Sequence, residues 1–98
     1  MSVVIEEAVA RLAAKLGDGA VDLPGVVKFV LAGEGAIMLD GAGVRAGDDP
    51  ADVTLTAETE VFRALLEGRL SAMSAYMSGK LKVDGQVSLA MKLGSVLG

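Results

Sequence analysis

The side chains here that could do chemistry are carboxylates, lysines and one phenol, because the 98 residues include no histidine and no cysteine. A Ser-His-Asp triad, a cysteine nucleophile and any zinc site with nitrogen or sulfur ligands are thereby excluded. Proton transfer would need a pair drawn from Asp, Glu, Lys and Tyr76. The densest acidic group is Asp48, Asp49 and Asp52. It lacks the alternate-residue spacing and closing Glu of a calcium loop, and Gly47-Asp48-Asp49-Pro50 has the composition of a turn. Most other carboxylates fall in turns and helix starts, where solvation or capping accounts for them. No catalysis is expected.

Two glycine patterns also fail on context. Gly41, Gly43 and Ala46 match a dinucleotide pattern, but a turn follows where a helix should open. Gly79-Lys80 looks like the end of a phosphate loop, yet Leu81 stands where Ser or Thr is needed. Met38, Met73, Met77 and Met91 remain, flexible and polarizable, suited either to filling a core or to an adaptable binding surface.

The elements that would position these groups are legible in the spacing. Ser2 caps a helix whose stripe is Ile5, Val9, Leu12 and Leu16, stopped by Gly17. After Pro24-Gly25, strands are expected at Val26 to Leu31, Ala36 to Asp40, Val44 and Arg45, and Ala51 to Thr56. Tight turns between them predict antiparallel pairing. Thr56 then caps a helix bearing Val61, Phe62, Leu65 and Leu66, and Ser71 caps a shorter one bearing Met73, Tyr76 and Met77. Lys80 to Asp84 reads as a fifth strand with Leu81 and Val83 inward. The last helix, from Gln86, is apolar around most of its girth: Val87, Leu89, Ala90, Met91, Leu93, Val96 and Leu97. Such a helix must be covered on two sides, by the sheet, a partner chain or a lipid.

Length and composition bound the rest. Ninety-eight residues make one domain, residues 1–98, with a modest core. The apolar share is 52% and almost wholly aliphatic, which rules out disorder. Nothing resembles a signal peptide or a run of about 18 apolar residues, so a cytoplasmic location is expected. Residues 1–60 carry 11 acidic and 4 basic side chains, and the remainder 2 acidic and 5 basic. An acidic chain with three aromatic rings speaks against nucleic acid, while its basic end could meet an anionic headgroup or, transiently, a membrane.

From Thr54 to Leu93 the chain resembles the sterol carrier protein type 2 domain. The specific stretch is SAYMSGKLKVDGQVSLAMKL: the pair Ala75-Tyr76, then Gly79-Lys80-Leu81-Lys82-Val83, Gly85, and Ala90-Met91-Lys92-Leu93. The resemblance implies an α+β fold, a five-stranded, mostly antiparallel sheet with helices on one face and an apolar tunnel between the layers. It implies non-catalytic binding and transfer of a fatty acid, fatty acyl-CoA, sterol-like or other lipid, with no cofactor and no metal. The tunnel would be lined by Phe29, Leu65, Leu66, Met73, Met77, Leu81, Leu89, Met91 and Leu93, with Tyr76 near the mouth. Lys80, Lys82 or Lys92 would steer an acidic headgroup. AIMLDG stands where the family often has a Trp-bearing strand, and SVLG stands where a peroxisomal tripeptide would be. A single-chain lipid therefore fits better than a sterol. The alternative is a protein-interaction module, with the last helix meeting a second copy or an enzyme partner and no lipid.

Overall fold

The computed structural model describes residues 3–16, 25–41 and 43–97, the side chains of 15, 16 and 93–97 excepted. Its elements run α1 (Val3–Leu16), β1 (Val27–Leu31), β2 (Gly35–Asp40), β3 (Gly43–Ala46), β4 (Val53–Ala57), α2 (Thr59–Leu66), α3 (Ala72–Met77), β5 (Leu81–Gly85) and α4 (Val87–Leu97). Ser2, Gly17 and Pro24, expected to bound the first helix and strand, lie outside the described residues.

Alternation sets the inner face of the sheet. Val27, Phe29 and Leu31 of β1 and Val53, Leu55 and Ala57 of β4 are buried, and the residues between them are half-buried on the other face. Four helices supply the second layer. Ile5, Ala8 and Leu12 of α1, Phe62, Leu65 and Leu66 of α2, Ala75 of α3 and Leu89 of α4 complete one continuous core. Ion pairs tie α1 to α2 at its rim: Arg11, which also meets Glu7 of its own helix at 3.2 Å, reaches Glu67 at 3.3 Å, and Arg63 reaches Glu7 at 3.6 Å.

The strand order is β3-β2-β1-β4-β5. The expected antiparallel pairing holds for β1 with β2 and β2 with β3, and β4 with β5 is antiparallel too. It does not hold for β4, which lies parallel to β1, with Phe29 opposite Leu55. The chain leaves the β3 edge and recrosses the sheet instead of turning back beside β3. Contacts on the outer face hold this crossing: Lys28 Nζ meets Asp48 at 2.8 Å, and Gly47 lies close against Met38, whose Cγ is 3.1 Å from where a Cβ at Gly47 would be. Met38 is consequently fully buried although it sits outside the main core. The crossing ends at Asp52, which donates its N–H to the Val26 carbonyl (2.9 Å) and accepts the Val26 N–H on its carboxylate (2.7 Å). Asp52 thus holds backbone, not a cation, and no metal-ligating cluster occurs among the described residues.

Thr56 does not cap α2. It belongs to β4, which runs one residue further, and the N-cap is Glu58 with no side-chain cap bond. Ser71 does cap α3, its hydroxyl accepting the Ser74 N–H at 3.1 Å.

Candidate ligand-binding site

Strand β5 ends the sheet, and its helix-facing residues Leu81 and Val83 have neighbours on only one side within it. Two backbone bonds place helices over this edge. The Lys80 N–H reaches the Ala75 carbonyl at 2.9 Å, folding the exit of α3 onto the start of β5. The Gln86 N–H reaches the Asp52 carbonyl at 3.0 Å, fixing where α4 begins.

Between these elements lies a cavity of about 560 Å³, open to solvent. That is within the usual range for small-molecule pockets. Leu65 comes from α2, Gly68 and Leu70 from the link after it, and Ser71, Ala72, Met73 and Tyr76 from α3 and its cap. Leu81 and Val83 form the floor, and Val87, Ala90, Met91 and Lys92 form the α4 wall. The wall is aliphatic apart from a hydroxyl, a phenol and an ammonium. Ser71 is engaged with Ser74. Lys92 is in no ion pair among the described residues. Beside the Gly68 end, hydrogen bonding to Arg69 (2.7 and 2.8 Å) and the nearby Arg11 hold the exposed Glu67 carboxyl below the ordinary glutamate range. Such a site can shelter a greasy chain and orient one polar end.

Of the residues expected to line a tunnel, Leu65, Met73, Tyr76, Leu81 and Met91 line this pocket. Phe29 and Leu89 are instead core residues, as is Leu66, which shares a small crevice with Val4 and Ala8 of α1. Met77 is on the surface, 78% exposed, and Leu93 lies outside the residues whose side chains are described. Among the three lysines expected to steer a headgroup, Lys92 reaches the pocket; Lys80 and Lys82 are exposed and not among its lining residues. The cavity is an open pocket more than an enclosed tunnel: Met73 is 53% exposed, Tyr76 47%, Val87 45% and Met91 56%. Val83, Val87 and Ala90 carried a signal in their inward or apolar positions. The contribution of the Gly68 to Ala72 stretch follows from the path of the chain, which no local pattern marks.

The model of the SCP-2 sterol transfer family matches residues 5–98. Hydroxysteroid dehydrogenase-like protein 2 of Xenopus tropicalis is 37% identical over 82 residues, which are 76% of this chain and 20% of that protein. The chain therefore spans about a fifth of that relative's length. Among solved structures, sterol carrier protein 2 like 2 from Aedes aegypti superposes with a TM-score of 0.77 at 26% identity, over 95% of both chains. Sterol carrier protein-2 of the same organism, in complex with the C16 fatty acid palmitate, gives 0.75 at 29% identity over 100% of this chain and 97% of that one.

Proposed function

Because the chain belongs to the SCP-2 sterol transfer family, we propose that its pocket takes the alkyl tail of a single-chain lipid, a fatty acid or fatty acyl-CoA, and that the domain carries this lipid without chemistry of its own. The observation behind this reading is the open aliphatic pocket of about 560 Å³ between α3, α4 and β5. The palmitate held by the Aedes aegypti relative supports it.

The energetics suffice without special polar contacts. Burying a sixteen-carbon chain gains roughly 12 kcal/mol gross at ~0.8 kcal/mol per methylene. Association and chain ordering remove several kcal/mol or more, leaving binding in the micromolar range or tighter. Lys92 would add a charge-assisted hydrogen bond to a carboxylate head, with the Tyr76 phenol as a second donor.

Solvent-extracted protein titrated with a fluorescent fatty acid tests this. One-to-one uptake is expected, displaced by palmitate more readily than by palmityl alcohol, and Lys92→Gln should narrow that difference. Absence of uptake, with nothing lipidic in the native mass spectrum of the protein as purified, would overturn the reading. The exposed apolar side chains of α3 and α4 also favour a second reading, a docking module for a second copy or an enzyme partner. An empty, obligate dimer in sedimentation would select it.

A further inference from the structure

The chain has five methionines and no cysteine, tryptophan or histidine. A two-electron oxidant therefore meets thioethers as its soft targets. Met1 lies outside the described residues, and the other four fall into three environments. Met38 is fully buried. Met77 is exposed and is not part of the pocket lining. Met73 and Met91 combine both conditions: each is more than half exposed, and each lines the pocket.

These two thioethers reach the pocket from separate helices, Met73 from α3 and Met91 from α4. Leu65, Leu81, Val83 and Ala90 line it beside them, so an alkyl tail there rests largely on apolar side chains. Oxidation to the sulfoxide turns a flexible apolar side chain into a polar one. An S–O dipole against the tail has no donor to pair with unless it draws water into the pocket, and either outcome works against the lipid.

We propose that Met73 and Met91 are an oxidation-sensitive pair that switches lipid binding off, with a hydroperoxide as the oxidant. The thioether sulfur attacks the peroxide, whose O–O bond breaks as an S–O bond forms. Sulfur gives up two electrons, and the transferred oxygen passes its proton to the departing one, which leaves as water or an alcohol. Methionine sulfoxide reductases reverse the change, one enzyme for each epimer. The oxygen then leaves as water while a dithiol closes to a disulfide. The inference rests on the reading of the pocket as a lipid site, and it makes the empty carrier the vulnerable form, since a bound tail covers both sulfurs.

Hydrogen peroxide treatment, peptide mass mapping and titration with a fluorescent fatty acid test it together. Met73, Met77 and Met91 should each gain an oxygen while Met38 does not. Uptake should weaken by about tenfold, the order expected for one unpaired polar group against a hydrocarbon chain. Both reductases with dithiothreitol should restore it. Palmitate bound beforehand should slow oxidation at Met73 and Met91 but not at Met77. Met77→Leu should take up the fatty acid as the parent does and lose it on oxidation. In Met73→Leu with Met91→Leu, a swap that nearly conserves volume, uptake should be the same before and after peroxide, whatever its starting strength. A fall below about threefold in the oxidised parent would overturn the proposal, as would a fall that the reductases do not restore. So would a loss that persists in the double-leucine variant, or one that comes with oxidation of Met38 and a lower denaturant midpoint. If the untreated protein takes up no fatty acid, the pocket reading falls and the switch with it; uptake that peroxide leaves intact sinks the switch alone.

Discussion

The rings of Phe29 and Phe62 meet edge to face, with centroids 5.3 Å apart and planes inclined at 66°. Phe29 is the middle core residue of β1 and Phe62 faces it from α2, both almost completely buried. The pair makes the space between sheet and helices solid at the centre of the sheet. Open volume lies instead toward the β5 edge, where the second layer is the short α3 and the start of α4. Phe62→Ala should cost about 3–5 kcal/mol, read as a lower midpoint in denaturant with an unchanged slope. A cost below about 1 kcal/mol would mean that the ring contact does not hold α2 to the sheet.

Leu89 and Met91 sit two positions apart on α4, roughly on opposite sides of the helix. The first is buried in the core and the second stands half-exposed at the pocket. Met91→Trp should therefore leave the melting midpoint nearly unchanged while obstructing the ligand. Displacing two methylenes of the tail, at ~0.8 kcal/mol each, weakens uptake of a fluorescent fatty acid by about tenfold. Leu65→Trp should obstruct it too, but with a loss of stability, because Leu65 is also a buried core residue. Leu89→Trp should instead overpack the core and cost about 1–3 kcal/mol. Identical effects at 89 and 91 would contradict the two-sided role of this helix.

That contrast marks how far the sequence could be read. Alternation and periodicity are local, so the inward Leu81 and Val83 of β5, the Ser71 cap, and Ile5 and Leu12 in the stripe of α1 were all visible in it. The parallel pairing of β1 with β4 was not, because it depends on a crossing held by Lys28 with Asp48 and by Val26 with Asp52, contacts 20 and 26 residues apart. The pocket was half legible for the same reason. Met73, Tyr76, Leu81 and Met91 stand where the family resemblance and the local pattern agree. Phe29, Leu66 and Leu89 are the same kinds of residue, and only packing against partners distant in the chain makes them core. Met38 and Met77 show the limit most plainly: one sequence signal, two opposite environments.

The carboxyl of Glu67 should titrate below a glutamate in a model peptide, followed by NMR through its side-chain carbonyl carbon. Hydrogen bonding to Arg69 is the largest cause, with the charges of Arg69 and Arg11 behind it. A carboxyl whose folded value is depressed contributes stability above its unfolded value and loses it as pH falls through the folded one. The tie between α1 and the end of α2 should accordingly loosen only on the acid side. Arg69→Ala should bring the midpoint back toward the peptide value more than Arg11→Ala does. The reverse order would assign the tie to α1.

Gly85 occupies a φ of +112°, and a Cβ there would overlap the Asp52 carbonyl oxygen and lie 2.9 Å from the Val53 Cα. The same Asp52 carbonyl accepts the Gln86 N–H that opens α4, and Asp52 is itself bonded twice to Val26. Gly85→Ala therefore cannot be relieved by turning a side chain away: β5 or the start of α4 must shift. Gly33 is the natural comparison, with a φ of +80° and nothing within 4 Å of where its Cβ would be. Gly33→Ala should cost only the backbone strain, about 1–2 kcal/mol, and leave lipid uptake alone. Gly85→Ala should cost more and also weaken uptake, because Val87, Ala90 and Met91 move with α4. Denaturation and fatty-acid titration of the two variants side by side decide it. Equal losses of stability, or uptake undisturbed by Gly85→Ala, would show that the Asp52 carbonyl does not set the position of the pocket wall.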